Sequence, residues 1–177
     1  DGMYTIEIKA IDKVGKESIQ TIDITVDKTV PTINSVVVDE EKIGTNKHTY
    51  MDGETEIVVY NNKQIPIKVS AKDNEKGSGI KSVSYSTDKT DDKNYTELVF
   101  DKGSNTGNAS VTCDWQGLGS IYIKVEDNAG NVSTEELNTV RIDTIAPEKP
   151  TSDITGTKLV NGKNYSRRWK YFKSYSI

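Results

Sequence analysis

The sequence predicts an all-β fold, an antiparallel β-sandwich, from three observations. Apolar residues recur at every second position through several short runs, which puts them on one face of a strand. Clusters of Gly, Asn, Asp and Ser separate the runs, as turns between strands require. One strand–turn–strand phrase also occurs twice, as YTIEIKAIDKVGKESIQTIDITVDKTVP from Tyr4 to Pro31 and as GSIYIKVEDNAGNVSTEELNTVRIDTIAP from Gly119 to Pro147. Asp127 follows Asp12 by 115 residues and Pro147 follows Pro31 by 116, so one inserted residue separates the copies. That period is too long for a solenoid and is the size of a sandwich domain.

In chain order, Tyr4, Ile6, Ile8 and Ala10 face one way, Asp12 and Gly15 make a turn, and Ile22, Ile24 and Val26 return. This hairpin, residues 1–30, is expected to close a preceding, truncated repeat. An isolated hairpin is marginal in water, so it should pack on the next domain or stand free. Residues 31–147 are expected to form one complete domain. Its strands begin with Ile33 to Val38, then a polar connection from Glu40 to Thr49, with a short strand over His48 to Met51. Ile57 to Tyr60 follows, then Ile65, Ile67, Val69 and Ala71 alternating with Pro66, Lys68, Ser70 and Lys72. Pro66 lacks an amide hydrogen and belongs near a strand start or edge. The turn 73–79 leads to Ile80, then Lys81, Val83 and Tyr85 alternate with Ser82 and Ser84; residues 87–94 read as a charged loop. Tyr95 to Phe100 reads as one strand, and Ala109, Val111, Cys113 and Trp115 as the inward positions of the next. The second copy of the hairpin ends the domain. Residues 148–177 are expected to start a further truncated repeat, with a strand over Thr155 to Val160, a turn at Asn161-Gly162 and a basic, aromatic tail, SRRWKYFKSYSI.

Composition sets limits. Hydrophobic residues are 33% and charged residues 28% of the 177, low in apolar content, but the patterning argues for folded structure. A strand with one wet face needs only half its residues apolar. A net charge of −4 gives no basic footprint, so no nucleic-acid partner is expected. No run approaches the roughly 18 apolar residues of a membrane helix, so no transmembrane segment is expected. The single Cys113 excludes an intrachain disulfide. The repeat phrase is already under way at the first residues, hence the expectation of a fragment from a longer array.

The phrases DGMYTIEIKAIDKVGKES, VDKTVP, DNEKGSGIKSVSYS, VEDNAGN and IDTIAP together resemble bacterial immunoglobulin-like repeat domains over about residues 1–160. The resemblance implies an immunoglobulin-like antiparallel β-sandwich, a tandem-repeat fragment of a cell-surface or secreted, adhesin-like protein. It implies an extracellular place, neighbouring repeats of the same chain as partners, and a role as stalk, spacer or adhesive module, with a host protein, matrix protein or glycan as ligand. The first copy departs from the pattern at Lys16, where the second has Asn131, and nothing carries over beyond Tyr165.

No catalytic constellation is legible. His48, the only histidine, sits in a polar segment, and no G-x-S-x-G or H-E-x-x-H occurs, so no enzyme is expected. Cys113 and Trp115 share the apolar face and read as core residues. No cofactor is expected, calcium excepted: Asp73, Asn74, Asp127, Asn128 and Asp143 lie at strand ends, with Asp12 and Asp27 in the first copy. Hard cations take six to eight oxygens, which clustered Asp and Asn can supply; the competing reading is that these side chains bond their own turns. An alternative function is a carbohydrate-binding or spacer module of a secreted glycan-active enzyme, which would expose aromatic rings, with Tyr85, Tyr95 and Tyr122 as candidates.

Overall fold

The computed structural model describes residues 1–89, 94–149, 158–160 and 163–165. The chain divides into two compact units, Asp1–Thr144 and Ile145–Ile177. In the second unit Lys158–Val160 and Lys163–Tyr165 form a short antiparallel hairpin. The aromatic tail from 166 lies outside the described residues.

Among its described residues the first unit is all-β apart from one short helical segment, and its core lies between two sheets. The strands are β1 (Gly2–Ile11), β2 (Glu17–Val26), β3 (Thr32–Val38), β4 (Lys47–Asp52), β5 (Thr55–Tyr60), β6 (Gln64–Lys72), β7 (Ile80–Ser86), β8 (Thr96–Glu97), β9 (Val99–Asp101), β10 (Thr106–Thr112), β11 (Gly117–Asp127) and β12 (Val132–Ile142). One sheet runs β3-β6-β10-β9 and the other β4-β5-β12-β11-β7-β8, while among the described residues β1 and β2 pair only with each other. Alternation does what the sequence predicts. Ile65, Ile67, Val69 and Ala71 of β6 meet Ile121, Ile123 and Val125 of β11 and Val140 and Ile142 of β12, all fully buried. Burying such side chains stabilises the fold by about 25 cal/mol per Å² of apolar surface. Among the described residues no helix is long and apolar enough to cross a membrane.

Two elements differ from the sequence reading. The connection after β3 is not wholly irregular: Glu40–Ile43 makes one helical turn, followed by a 3-10 turn over Gly44–Asn46. It is too short to show a period, and it forms because Ile43 inserts into the core. The run Tyr95 to Phe100 is two strands rather than one. β8 pairs with β7 in one sheet and β9 with β10 in the other. The chain crosses between layers at Leu98, whose side chain is buried and whose N–H donates to the Val83 carbonyl at 3.0 Å.

The one-residue difference between the two hairpins has a structural form. In the β1–β2 ladder the register is unbroken from Gly2↔Val26 to Ile11↔Glu17. In the β11–β12 ladder it shifts between Gly119 and Ile121, which pair with Val140 and Leu137. The extra residue is a β-bulge, which lets two residues on one strand oppose one on the other. It lies beside Trp115. A Cβ at Gly119 would fall on the indole ring, and the indole N–H donates to the Val140 carbonyl at 3.3 Å.

Candidate functional site

The residues with the most concentrated polar chemistry lie where β2 hands the chain to the sandwich. Asp27 follows the last residue of β2, Asp73 opens the loop between β6 and β7, and Asp127 ends β11. One carboxylate oxygen of each lies within 4.8 Å of the others. Asp127 is fully buried and Asp27 nearly so.

Each carboxylate is held by turn chemistry. Asp127 Oδ1 accepts from the N–H groups of Ala129, at 2.9 Å, and Asn131, at 2.8 Å. Its Oδ2 accepts from Asn131 Nδ2 at 2.8 Å. Asp73 Oδ1 accepts from the Asn74 N–H, and Oδ2 accepts from the Gly79 N–H at 2.6 Å. The loop folds this tightly because residue 77 is glycine; a Cβ there would lie 2.5 Å from Asp73 Oδ2.

Asp27 comes from outside that loop and ties the hairpin to it. Its Oδ2 accepts from the Ser78 N–H at 2.7 Å, and Oδ1 from Asn74 Nδ2 and from the Thr29 N–H, both at 3.2 Å. Its carbonyl accepts from Asn131 Nδ2 at 3.3 Å. The Ser78 backbone N–H above all, with smaller help from the Ser78 and Asn74 side chains and the Thr29 amide, outweighs burial and holds the Asp27 carboxyl at about 2, below its ordinary 3.8. Hydrogen bonds to the charged form favour it.

Of the sequence candidates for calcium, Asp73, Asn74 and Asp127 therefore come together. Asn128 stands beside them but as a donor, to the Ser78 and Gly79 carbonyls at 2.8 and 2.9 Å. Asp143 lies past the end of β12, at the opposite end of the sandwich from Asp127, where its N–H bonds the Tyr60 carbonyl. Asp12 is exposed at the tip of the first hairpin. Asp27 completes the trio, and its signal in the sequence is its place in VDKTVP, matched by Asp143 in IDTIAP. Asp27, Asp73 and Asp127 are the residues that could hold a hard cation, which takes carboxylate oxygens at 2.3–2.6 Å. The observed hydrogen bonds account for the positions of all three without one.

The other singled-out residues do not converge on chemistry. His48 is exposed, with Nε2 3.0 Å from Asn61 Nδ2. Cys113 is fully buried, and burial, aided by the nearby charge of Asp114, pushes its thiol up to about 12, far from a reactive thiolate. Trp115 packs against the core. So does Tyr85, which pairs with the inward Ile123 and is thereby removed from the exposed aromatics. Tyr95 and Tyr122 share one groove. The chain matches no family model and no curated protein.

Proposed function

We propose that the chain is a non-catalytic structural and adhesive segment of a bacterial extracellular surface protein. It would be a slice of a tandem array of immunoglobulin-like sandwiches acting as stalk or spacer. In this reading β1–β2 closes one repeat and residues 31–147 are the next.

The observation that carries the reading is the equivalence of the two hairpins. The bonds from turn backbone N–H groups match, and Asn131 Nδ2 adds one to Asp127 Oδ2 that Lys16 does not make in the first turn. Asp12 Oδ1 accepts from the Val14 and Lys16 N–H groups, as Asp127 Oδ1 does from Ala129 and Asn131. Gly15 N–H bonds the Asp12 carbonyl, as Gly130 N–H bonds that of Asp127. A hairpin so like the closing pair of a complete sandwich, yet uncovered, is a piece of another such sandwich. The strand order supports the immunoglobulin-like assignment. If β3, β6, β7, β9, β10, β11 and β12 are lettered A, B, C, D, E, F and G, the sheets contain A-B-E-D and G-F-C, the constant-type arrangement. The Asp27 contacts then become a repeat-to-repeat clamp, and Pro31 stiffens the link by fixing φ.

Small-angle scattering of several consecutive repeats tests this. The expected result is an extended rod whose length grows in proportion to repeat number; a compact globule would overturn it.

A further inference from the structure

We infer that β4 is a docking edge for a second copy of this chain, pairing antiparallel with β4 of that copy across a two-fold axis. β4 ends the six-stranded sheet, and among the described residues no strand pairs with its outer side. An open edge is a row of unpaired N–H and C=O groups, ready to pair with another strand. Natural sheets blunt their edges, and the other three edges of the sandwich follow that rule. β8 and β9 are two and three residues long, and β3 shifts register between Ile33 and Ser35, as a bulge does. β4 lacks these devices. It pairs with β5 in unbroken register over all 6 residues, contains no proline, and is exposed from His48 to Asp52. β1 and β2 are open as well, but their equivalents β11 and β12 take neighbours, β7 and β5, from within one sandwich.

The direction of the backbone groups restricts the register. The Asn61 N–H donates to the carbonyl of Asn46, just before β4, at 3.0 Å. Backbone groups alternate in direction along an antiparallel strand. The even-numbered residues therefore turn theirs towards β5, and Lys47, Thr49 and Met51 turn theirs to the open side. Only residues that both point outwards can exchange hydrogen bonds. With Thr49 on the axis, Thr49 pairs with Thr49 of the second copy, Lys47 with Met51 and Met51 with Lys47, and every outward group is used. With Tyr50 on the axis, Lys47 falls opposite Gly53 in the turn and its bonds are lost.

The side chains suit a second copy of the same strand. On one face Thr49 meets Thr49; on the other, His48 meets Tyr50 of the second copy on each side of the axis, and both kinds of pair favour a sheet. Asn61 Nδ2 lies 3.0 Å from His48 Nε2 and can only donate, which leaves the ring proton of the neutral imidazole on Nδ1. Asp52 of the second copy stands diagonally across from His48, where its carboxylate can accept that proton's hydrogen bond. Like charges stay apart, because antiparallel pairing sends the two Lys47 side chains to opposite ends, and the two Asp52 side chains likewise. Two-fold contacts are the commonest form of self-association, and this one continues the six-stranded sheet from one copy into the other.

Sedimentation velocity of the whole chain, run from about 10 μM to 1 mM, should show monomer passing to dimer as concentration rises. Over the same span the amides of Lys47, Thr49 and Met51 should exchange more slowly, while those of His48 and Tyr50, already turned to β5, should not change. Thr49→Lys sets two ammonium groups against each other on the axis and should weaken association about tenfold or more. Thr49→Pro removes an outward N–H without touching a bond to β5 and should abolish the dimer. Melting temperatures report whether each variant is folded, and either one suffices if the other unfolds. A chain that stays monomeric at the highest concentration, protection that appears on β1 or β2 in place of β4, or unchanged association in a folded variant would each overturn the proposal.

Discussion

Ile8 and Ile123 occupy the same place in the same kind of hairpin, four residues before the turn aspartate, and their surroundings could hardly differ more. Ile123 is fully buried, with Ile121 and Val125 beside it. Ile8 is 52% exposed, and Ile6, Ile22 and Ile24 are also open. The strands are of similar length, the turn aspartates accept the same two backbone N–H groups, and the alternation is the same. What differs is the layer opposite. β11–β12 lies over β6 and β10 and has β7 at its edge, whereas β1–β2 has neither. Local sequence suffices to shape a hairpin; burial is conferred by non-local strands. Tyr4, Ile6, Ile8, Ile22 and Ile24 are all exposed on the first hairpin.

Substitutions at matched positions test that contrast most severely. Ile123→Ala should cost about 2–5 kcal/mol, through lost burial and the cavity left behind. Ile8→Ala should stay within roughly 0.5 kcal/mol, as surface changes do. Denaturant unfolding measures both. Equal losses at the two sites would mean that the first hairpin is covered after all.

The next largest effect is expected at Gly119, whose counterpart in the first hairpin is Tyr4. Gly119→Ala drives a methyl into Trp115 and should cost roughly 1–3 kcal/mol, the usual range for overpacking. Indole fluorescence should shift with it. Tyr4→Ala should leave both stability and fluorescence unchanged.

The turn aspartates come third. Asp127→Ala strips partners from the Ala129 and Asn131 N–H groups and from the Asn131 amide in a part-buried setting, at about 1–3 kcal/mol. Asp12→Ala exposes its N–H groups to water and should loosen only the hairpin tip, seen as faster exchange of the Val14 and Lys16 amides with no change in global stability.

The smallest effect is pH-dependent and joins the two regions. The Asp27 carboxyl lies at about 2 when folded and at 3.8 ordinarily. A depressed folded value means a contribution present above the unfolded value and lost as pH falls through the folded one. The clamp between β2 and loop 73–79 should therefore hold from neutrality to about pH 4 and loosen towards pH 2. The Ser78 amide resonance reports it, and in Asp27→Asn that amide should lose its titration over this range.

Much of the fold is readable from period-two alternation because that signal is local. It gives the apolar faces of β6, β10 and β11, the core places of Cys113 and Trp115, and both hairpin turns. It does not give the sheet change at Leu98, since a run of alternating residues looks the same whether it stays in one layer or crosses to another. Nor does it reveal the single helical turn at Glu40–Ile43. The cluster was only half legible. Asp73 and Asp127 advertise themselves as turn residues, but the sequence offers five or more such acids at strand ends with nothing to say which share a pole. Asp143 and Asp127 look alike in sequence and lie at opposite ends of the sandwich.

The sequence by itself determined the strands, the turn chemistry and the near-identity of the two hairpins, because side-chain alternation and Asx turns act over a few residues. Only the tertiary structure decided that Asp27, Asp73 and Asp127 meet and that Tyr95 and Tyr122 share a groove while Tyr85 turns into the core. It also decided which of two matched hairpins is buried. Those outcomes depend on which distant strands pair and stack, and pairing is settled by the packing of the whole unit.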